Sequence, residues 1–263
     1  MIKELLKQAH AQLSLLLFDP LEIGRRWRAM PYFVRNVLAY GRTTGQSPFR
    51  VTLRDLQYRT FDRFAPAGST NNHYFHQDLW AARHLFDRGA KHHVDVGSRL
   101  DGFVAHVLPF CRVSFVDLRP LPAPVPGLDV QPGSILDLPF DSGSVQSLSS
   151  LHVLEHIGLG RYGDPVDPDG YLKAARELAR VLAPGGTLLF SVPVGQERLV
   201  FDAHRVFDPR TIVEAFAGLR LSEFHLIDDR AQGIQERATF DEARDCRFGC
   251  GLFVFEKPAG VAR

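Results

Sequence analysis

Residues 92–102, His-His-Val-Asp-Val-Gly-Ser-Arg-Leu-Asp-Gly, limit the fold of this chain more than any other stretch. Residues 94–96 read as a short buried strand. Gly97 lets the backbone turn sharply, and residues 103–108 read as the start of a helix. A strand, a glycine turn and a helix N-terminus form a seat for a nucleotide-like ligand, because free N–H groups point outward there. Gly97 has no Cβ, so a ligand can approach the main chain. Asp117 closes a second apolar run about 20 residues later, where a ribose-binding carboxylate belongs. Many buried strands end in Asp-x-Gly for turn geometry alone, so the surrounding chain has to decide between the two readings.

From Lys91 onward, strand-like and helix-like segments alternate, which implies a parallel sheet. The expected strands are 93–96, 113–117, 128–131, 145–150, 187–192, 221–227 and 251–256. A helix over 168–183 carries Leu172, Ala175, Leu178, Ala179 and Leu182 on one stripe. Asp167 or Asp169 can cap it, and Pro184-Gly185-Gly186 stops it. Another helix begins at 211–216. The turn-forming segment 65–72 ends an N-terminal helical extension, which places the domains at 1–75 and 76–263. A helix over 76–87 opens the second. In the extension, residues 2–17 have helical periodicity, 41–48 read as a loop and 53–64 show no clear period. Arg25, Arg26 and Arg28 near Trp27, Tyr32 and Phe33 read either as a phosphate site or as a solvated basic helix face.

At 263 residues and 45% hydrophobic the chain can bury a sizeable core. A formal charge of +1 argues against nucleic acid held by bulk electrostatics. Three cysteines, an odd number with no paired spacing apart from one C-x3-C, suit a reduced, cytoplasmic protein, and Cys246 and Cys250 read as a turn and a buried strand residue before a metal pair. No apolar run reaches the ~20 residues of a membrane helix, and residues 13–18 lack a secretory cleavage pattern. The first helix packs on the protein or on a second copy in a homo-oligomer, with peripheral membrane contact as the alternative.

Four pieces align in order: Asp95-Val-Gly97, Asp117, the segment 133–140, and Leu178-Ala-Arg-Val-Leu-Ala-Pro-Gly-Gly-Thr-Leu-Leu-Phe190. Together, over about residues 76–256, they resemble the class I S-adenosylmethionine-dependent methyltransferases. The central block, with Ser149–Gly170 and Asp245–Phe253, is also similar to a methyltransferase-like bacterial group called DUF268. The resemblance implies a Rossmann-like, doubly wound, mostly parallel seven-stranded α/β sheet. It also implies S-adenosyl-L-methionine as cofactor. Asp95, Gly97, Ser98 and Arg99 would then hold its methionine end, and Asp117 its ribose. Ser134 and Ile135 would face the adenine, and residues 149–152, Leu151 among them, would end the fourth strand beside the sulfonium. In place of the family's further glycines stand Arg99 and Asp101. Arg99 either pairs with the cofactor carboxylate or fills the pocket.

His152, Glu155 and His156 are spaced to share one side of a helix, with His204 arriving after the fifth strand. Three readings compete. His156 or His152 is a general base; or His152, Glu155, His156 and His204 bind a metal; or Glu155 and His156 only cap and pair. The long loop 158–170 reads as a lid, with Arg161, Tyr162, Asp164 and the later Arg205 touching a small, polyhydroxylated acceptor such as a sugar or glycan precursor. The expected activity is methyl transfer to a hydroxyl or amine of that acceptor. The rival readings are a non-catalytic binding module and a metal-dependent enzyme of another class.

Overall fold

The computed structural model describes residues 20–43, 48–58, 64, 67–119 and 124–259. They fall into two compact units, 1–69 and 70–263. In the first, helix α1 spans Pro20–Thr43 and carries Pro31 within it. The helical character expected of the N-terminal extension is present in α1, which continues through Pro31 although a proline removes a helical hydrogen bond; residues 41–43, expected as loop, still belong to it. A single turn follows at Leu53–Asp55. The Arg28 guanidinium lies 4.8 Å from the Phe64 ring centre, and Phe33 meets Tyr58 at 5.0 Å. Those contacts favour an aromatic anchor over a phosphate site. Trp27 is exposed. The helix expected over 2–17 and the side chains of Arg25 and Arg26 lie outside the described residues.

The second unit begins with helix α2, His73–Asp87, capped by the Asn72 side chain on the Phe75 N–H. The sheet then forms from β1 (His92–Val96), β2 (Arg112–Asp117), β3 (Leu128–Pro132), β4 (Val145–Leu151) and β5 (Leu182–Val194). It is completed by β8 (Arg220–Ile227), β9 (Gln235–Glu236) and β10 (Gly249–Glu256). A separate hairpin pairs β6 (Arg198–Val200) with β7 (His204–Val206). The sheet order is β3-β2-β1-β4-β5-β10-β8-β9, eight strands where seven were expected. The additional one is the two-residue β9, hydrogen-bonded to His225 and Leu226 at the edge. Two exposed polar residues carry no hydrophobic alternation, so nothing in their pattern marks a strand.

β1 to β5 run parallel, and β10 inserts antiparallel between β5 and β8. A wide turn at Leu100–Val104 leads into the short helix α3, Ala105–Val107. Helix α4 covers Gly170–Val181. It ends one turn before Pro184, since the residue before proline disfavours the helical region, and β5 starts at once. Neither acid supplies a side-chain cap: Asp169 makes no such bond, and Asp167 accepts instead from the Asp169 N–H (3.0 Å) and Lys173 (2.5 Å). Helices α5 (Pro209–Ala215) and α6 (Phe240–Arg244) complete the unit, α6 with a reciprocal Thr239–Glu242 capping box.

Each face of the sheet has its own core. One packs Leu148, Leu188, Phe190, Phe253 and Phe255 against Ala174, Leu178 and Ile212. The other packs Val113, Phe115, Leu189 and Val254 against Trp80, Leu85, Phe103 and Val107. Helices on both faces make the sheet doubly wound. Its order reverses between β1 and β4, and in such sheets ligands bind in the crevice outside that reversal.

Candidate active site

A cleft of about 570 Å³ opens at the C-terminal ends of β1, β2 and β4. Of the residues singled out in the sequence, Gly97, Ser98, Arg99, Asp117, Ile135, Leu151, His152, His156, Tyr162 and Asp164 line it. Asp95, Ser134, Glu155, Arg161, His204 and Arg205 do not.

Gly97 forms the floor of the turn after β1. Its φ is +74°, and a Cβ there would stand 3.1 Å from Val153 Cγ1. Both facts require glycine. Asp95 lies beneath the turn, fully buried. Its carboxylate accepts from the Ser98 N–H (3.0 Å), the Ser98 hydroxyl (2.7 Å) and the Ser149 hydroxyl. Ser98 Oγ in turn accepts from the Leu151 N–H at 3.0 Å. Asp95 therefore shapes the turn and does not face the cleft. Burial raises its pKa to about 6, partly opposed by the Ser149 and Ser98 hydrogen bonds.

Arg99 and Asp101 pair with each other at 3.1 Å on the exposed rim, with the Arg99 guanidinium 5.0 Å from the Tyr74 ring centre. They do not fill the pocket. Asp117 sits at the mouth with both carboxylate oxygens bonded by Arg119, Nε to Oδ1 at 2.9 Å and Nη2 to Oδ2 at 2.9 Å. Oδ1 also accepts from the Arg119 N–H at 2.8 Å; a carboxylate has about four lone-pair sites, so Oδ2 keeps room for a hydroxyl donor. Sequence reasoning missed Arg119; the signal was there, two residues beyond an acid that ends a strand. Ser134 is turned away, its hydroxyl accepting from the Leu136 N–H at 3.1 Å, which leaves Ile135 on the wall.

At the far wall the chain leaves β4 through His152, held at φ +55°, an uncommon conformation for a side-chain-bearing residue. Its Nδ1 meets Glu155 Oε1 at 2.8 Å, and both side chains are nearly sealed from solvent. Burial opposes charge on His152, but Cys250 and the Glu155 carboxylate outweigh it and hold its pKa well above the usual value. His156 faces the cleft from the turn Leu154–His156. Its Nδ1 lies 2.7 Å from the Ala203 carbonyl. A carbonyl only accepts, so Nδ1 carries the proton and Nε2 is the basic nitrogen. Glu155 Oε1 stands 3.7 Å from that Nε2.

His204 packs on Phe248 at 4.9 Å, away from the cleft, and burial lowers its pKa. The four residues read as a metal quartet do not converge: among the described residues, the groups with metal-ligand spacing are His73, His152, Cys250 and His84, Glu223, His225. Arg161 donates to the Ala203 carbonyl at 2.9 Å. Arg205 donates to the Ile157 (2.7 Å) and Pro168 (3.3 Å) carbonyls and so clamps the base of the loop 158–170. Gly158 has φ +83°, and a Cβ there would collide with the Asp167 carbonyl, so this base is closed by backbone contact. Asp164 accepts from the Gly158 N–H (2.6 Å) and the Tyr162 N–H (3.3 Å). Tyr162 projects, 5.4 Å from His156 and 5.2 Å from the Arg119 guanidinium. Tyr74, also missed from sequence, contributes a second ring 5.1 Å from His152.

Residues 142–241 match a family model described as "Caenorhabditis protein of unknown function, DUF268". The match takes in His152, Glu155 and His156 but stops short of the 245–253 segment. No curated protein matched the chain. Among solved structures, the [4+2]-cyclase SpnF is similar at TM-score 0.50 and 15% identity, covering 70% of this chain and 82% of its own. The N-methyltransferase NodS from Bradyrhizobium japonicum WM9, in complex with S-adenosyl-L-homocysteine, reaches 0.48 at 16%, covering 69% and 86%. The Burkholderia thailandensis 1,6-didemethyltoxoflavin-N1-methyltransferase reaches 0.49 at 18%, covering 69% and 78%. By strand order, reversed β10 and ligand crevice, this chain has the Rossmann-like fold of the class I S-adenosylmethionine-dependent methyltransferases.

Proposed function

We propose that the protein is an S-adenosylmethionine-dependent methyltransferase acting on a hydroxyl or amine of a small polar acceptor, of the sugar or glycan-precursor class. One observation carries the reading. His156, whose Nδ1 is held by a carbonyl, and the Gly97–Asp117 seat line the same cleft at the sheet's reversal point. A fold shared with a cyclase cannot name the reaction, so the site must.

The residues present suit the cofactor. A cleft of about 570 Å³ falls within the usual range for small-molecule sites. Gly97 leaves the main chain open to a close ligand, Asp117 Oδ2 can accept from a ribose hydroxyl beside Arg119, and Ile135 offers an apolar wall. When bound, S-adenosylmethionine supplies an electrophilic methyl on sulfur. The chain aligns the acceptor with it, which is the larger part of the rate gain. His156 Nε2 takes the acceptor proton, and the imidazolium so formed lies next to the Glu155 carboxylate. The Tyr162 and Tyr74 rings offer flat faces of the kind that pack on a sugar ring.

The test is His156→Ala, assayed with labelled methyl donor and isothermal titration of S-adenosylhomocysteine. The expected result is loss of transfer with unchanged product binding. Equal loss of both, or of neither, contradicts the base role.

A further inference from the structure

We infer that His73, His152 and Cys250 form a binding site for a zinc-class cation at the wall of the cleft. Their ligand atoms lie within 4.8 Å of one another. Three features converge on it. The His152 side chain is only 5% exposed, and its Nε2 has no hydrogen-bond partner. A buried imidazole nitrogen left unpaired is costly unless something completes it. Its other nitrogen, Nδ1, is held by Glu155 at 2.8 Å, the carboxylate–histidine arrangement that fixes tautomer and aims Nε2 at a metal. Cys250 is fully buried with a free thiol that reaches Gln77 Oε1 and the Gly251 carbonyl only at a long 3.9 Å.

The donor set is two imidazoles and a sulfur, which suits zinc and not magnesium or calcium. Metal–ligand bonds of about 2.0–2.3 Å place tetrahedral ligands roughly 3.4–3.6 Å apart. The group must contract by about 1.4 Å at most, within reach of side-chain rotation at His73, the first residue of α2. Binding forms two metal–nitrogen bonds and one metal–sulfur bond, and the Cys250 thiol proton and the proton on His152 Nε2 leave to the buffer. Three protein ligands leave a fourth position open, the pattern of sites where zinc carries a water or substrate atom. The ion would rest on β4, α2 and β10, three elements far apart in sequence.

The test is titration of the chelator-treated full chain with Co²⁺, read by absorption. The expected spectrum has the visible bands of tetrahedral cobalt and a near-ultraviolet thiolate-to-cobalt band, saturating at a single equivalent. Cys250→Ser should remove the thiolate band. His73→Ala, at the half-buried first residue of α2, should weaken binding at least about tenfold with the fold intact by circular dichroism, and Glu155→Gln by about 10–100-fold. His225→Ala should leave the band unchanged. No stoichiometric uptake overturns the site. So does uptake without a thiolate band, which would put the ion at His84, Glu223 and His225, and so does a band that survives Cys250→Ser.

Discussion

The two walls of the cleft are built in opposite ways. The wall after β1 and β2 is made of main chain and rim ion pairs: Gly97, the Arg99–Asp101 pair and the Arg119–Asp117 pair. The wall after β4 rests on a buried polar seam. His93 Nε2 meets Ser149 Oγ at 2.8 Å, and Ser149 donates to Asp95. Ser191 donates to Gln77 at 2.5 Å and accepts from the His152 N–H at 3.2 Å. The contrast teaches where this molecule is sensitive. Solvent softens a change on the first wall, whereas a change on the second leaves a polar group stranded in a low dielectric.

The largest expected break is Glu155→Ala. Removing one member of a buried pair costs about 3–5 kcal/mol, and His152 Nδ1 would lose its 2.8 Å hydrogen-bond partner. Urea denaturation measures it; a loss below about 1 kcal/mol would make this pair no different from a surface one.

Next comes the pH dependence of the seam. Asp95 has its pKa raised from 3.8 to about 6. The folded chain therefore holds a proton there that the unfolded chain has released, and this contribution to stability is lost as pH rises from 3.8 to 6. His73 runs the other way. Burial, then repulsion from His152, lowers it from 6.5 to about 4, so its contribution is present above 6.5 and lost as pH falls through 4. Asp95→Asn should therefore steepen the rise of stability with pH in the acid range, by at most about 1.4 kcal/mol per pH unit. Denaturation midpoints from pH 4 to 6 check it, and parallel curves for the two proteins would contradict it.

On the first wall, Gly97→Ala forces a side chain into the left-handed region, at about 1–2 kcal/mol; an unchanged melting curve would refute the strain. The smallest effect belongs to Asp101→Ala. The pair is exposed, 52% and 77% for its side chains, so its loss should shift stability by less than about 1 kcal/mol. A larger shift would erase the contrast between the walls.

The same contrast governs what could be read from sequence. The β1 turn, Asp117 and the β4 end are local patterns, and the long apolar strands show their own periodicity. β9 is too short and polar to show one. The seam is non-local: Gln77, His152, Ser191 and Cys250 come from α2, the end of β4, β5 and β10. Only folding brings them together, so His73 and Cys250 carried no signal as partners. Arg205 and His204 drew notice as charged residues near an expected site. Their environment, carbonyls for one and Phe248 for the other, depends on the hairpin β6–β7.

The most direct test of a nucleotide-type seat is isothermal titration with S-adenosylhomocysteine, on the unaltered chain and on Asp117→Ala. The expected result is saturable binding competed by S-adenosylmethionine, weakened at least about tenfold, or 1.4 kcal/mol, by loss of the carboxylate. No heat and no competition on the unaltered chain, or equal affinity in both proteins, would contradict it.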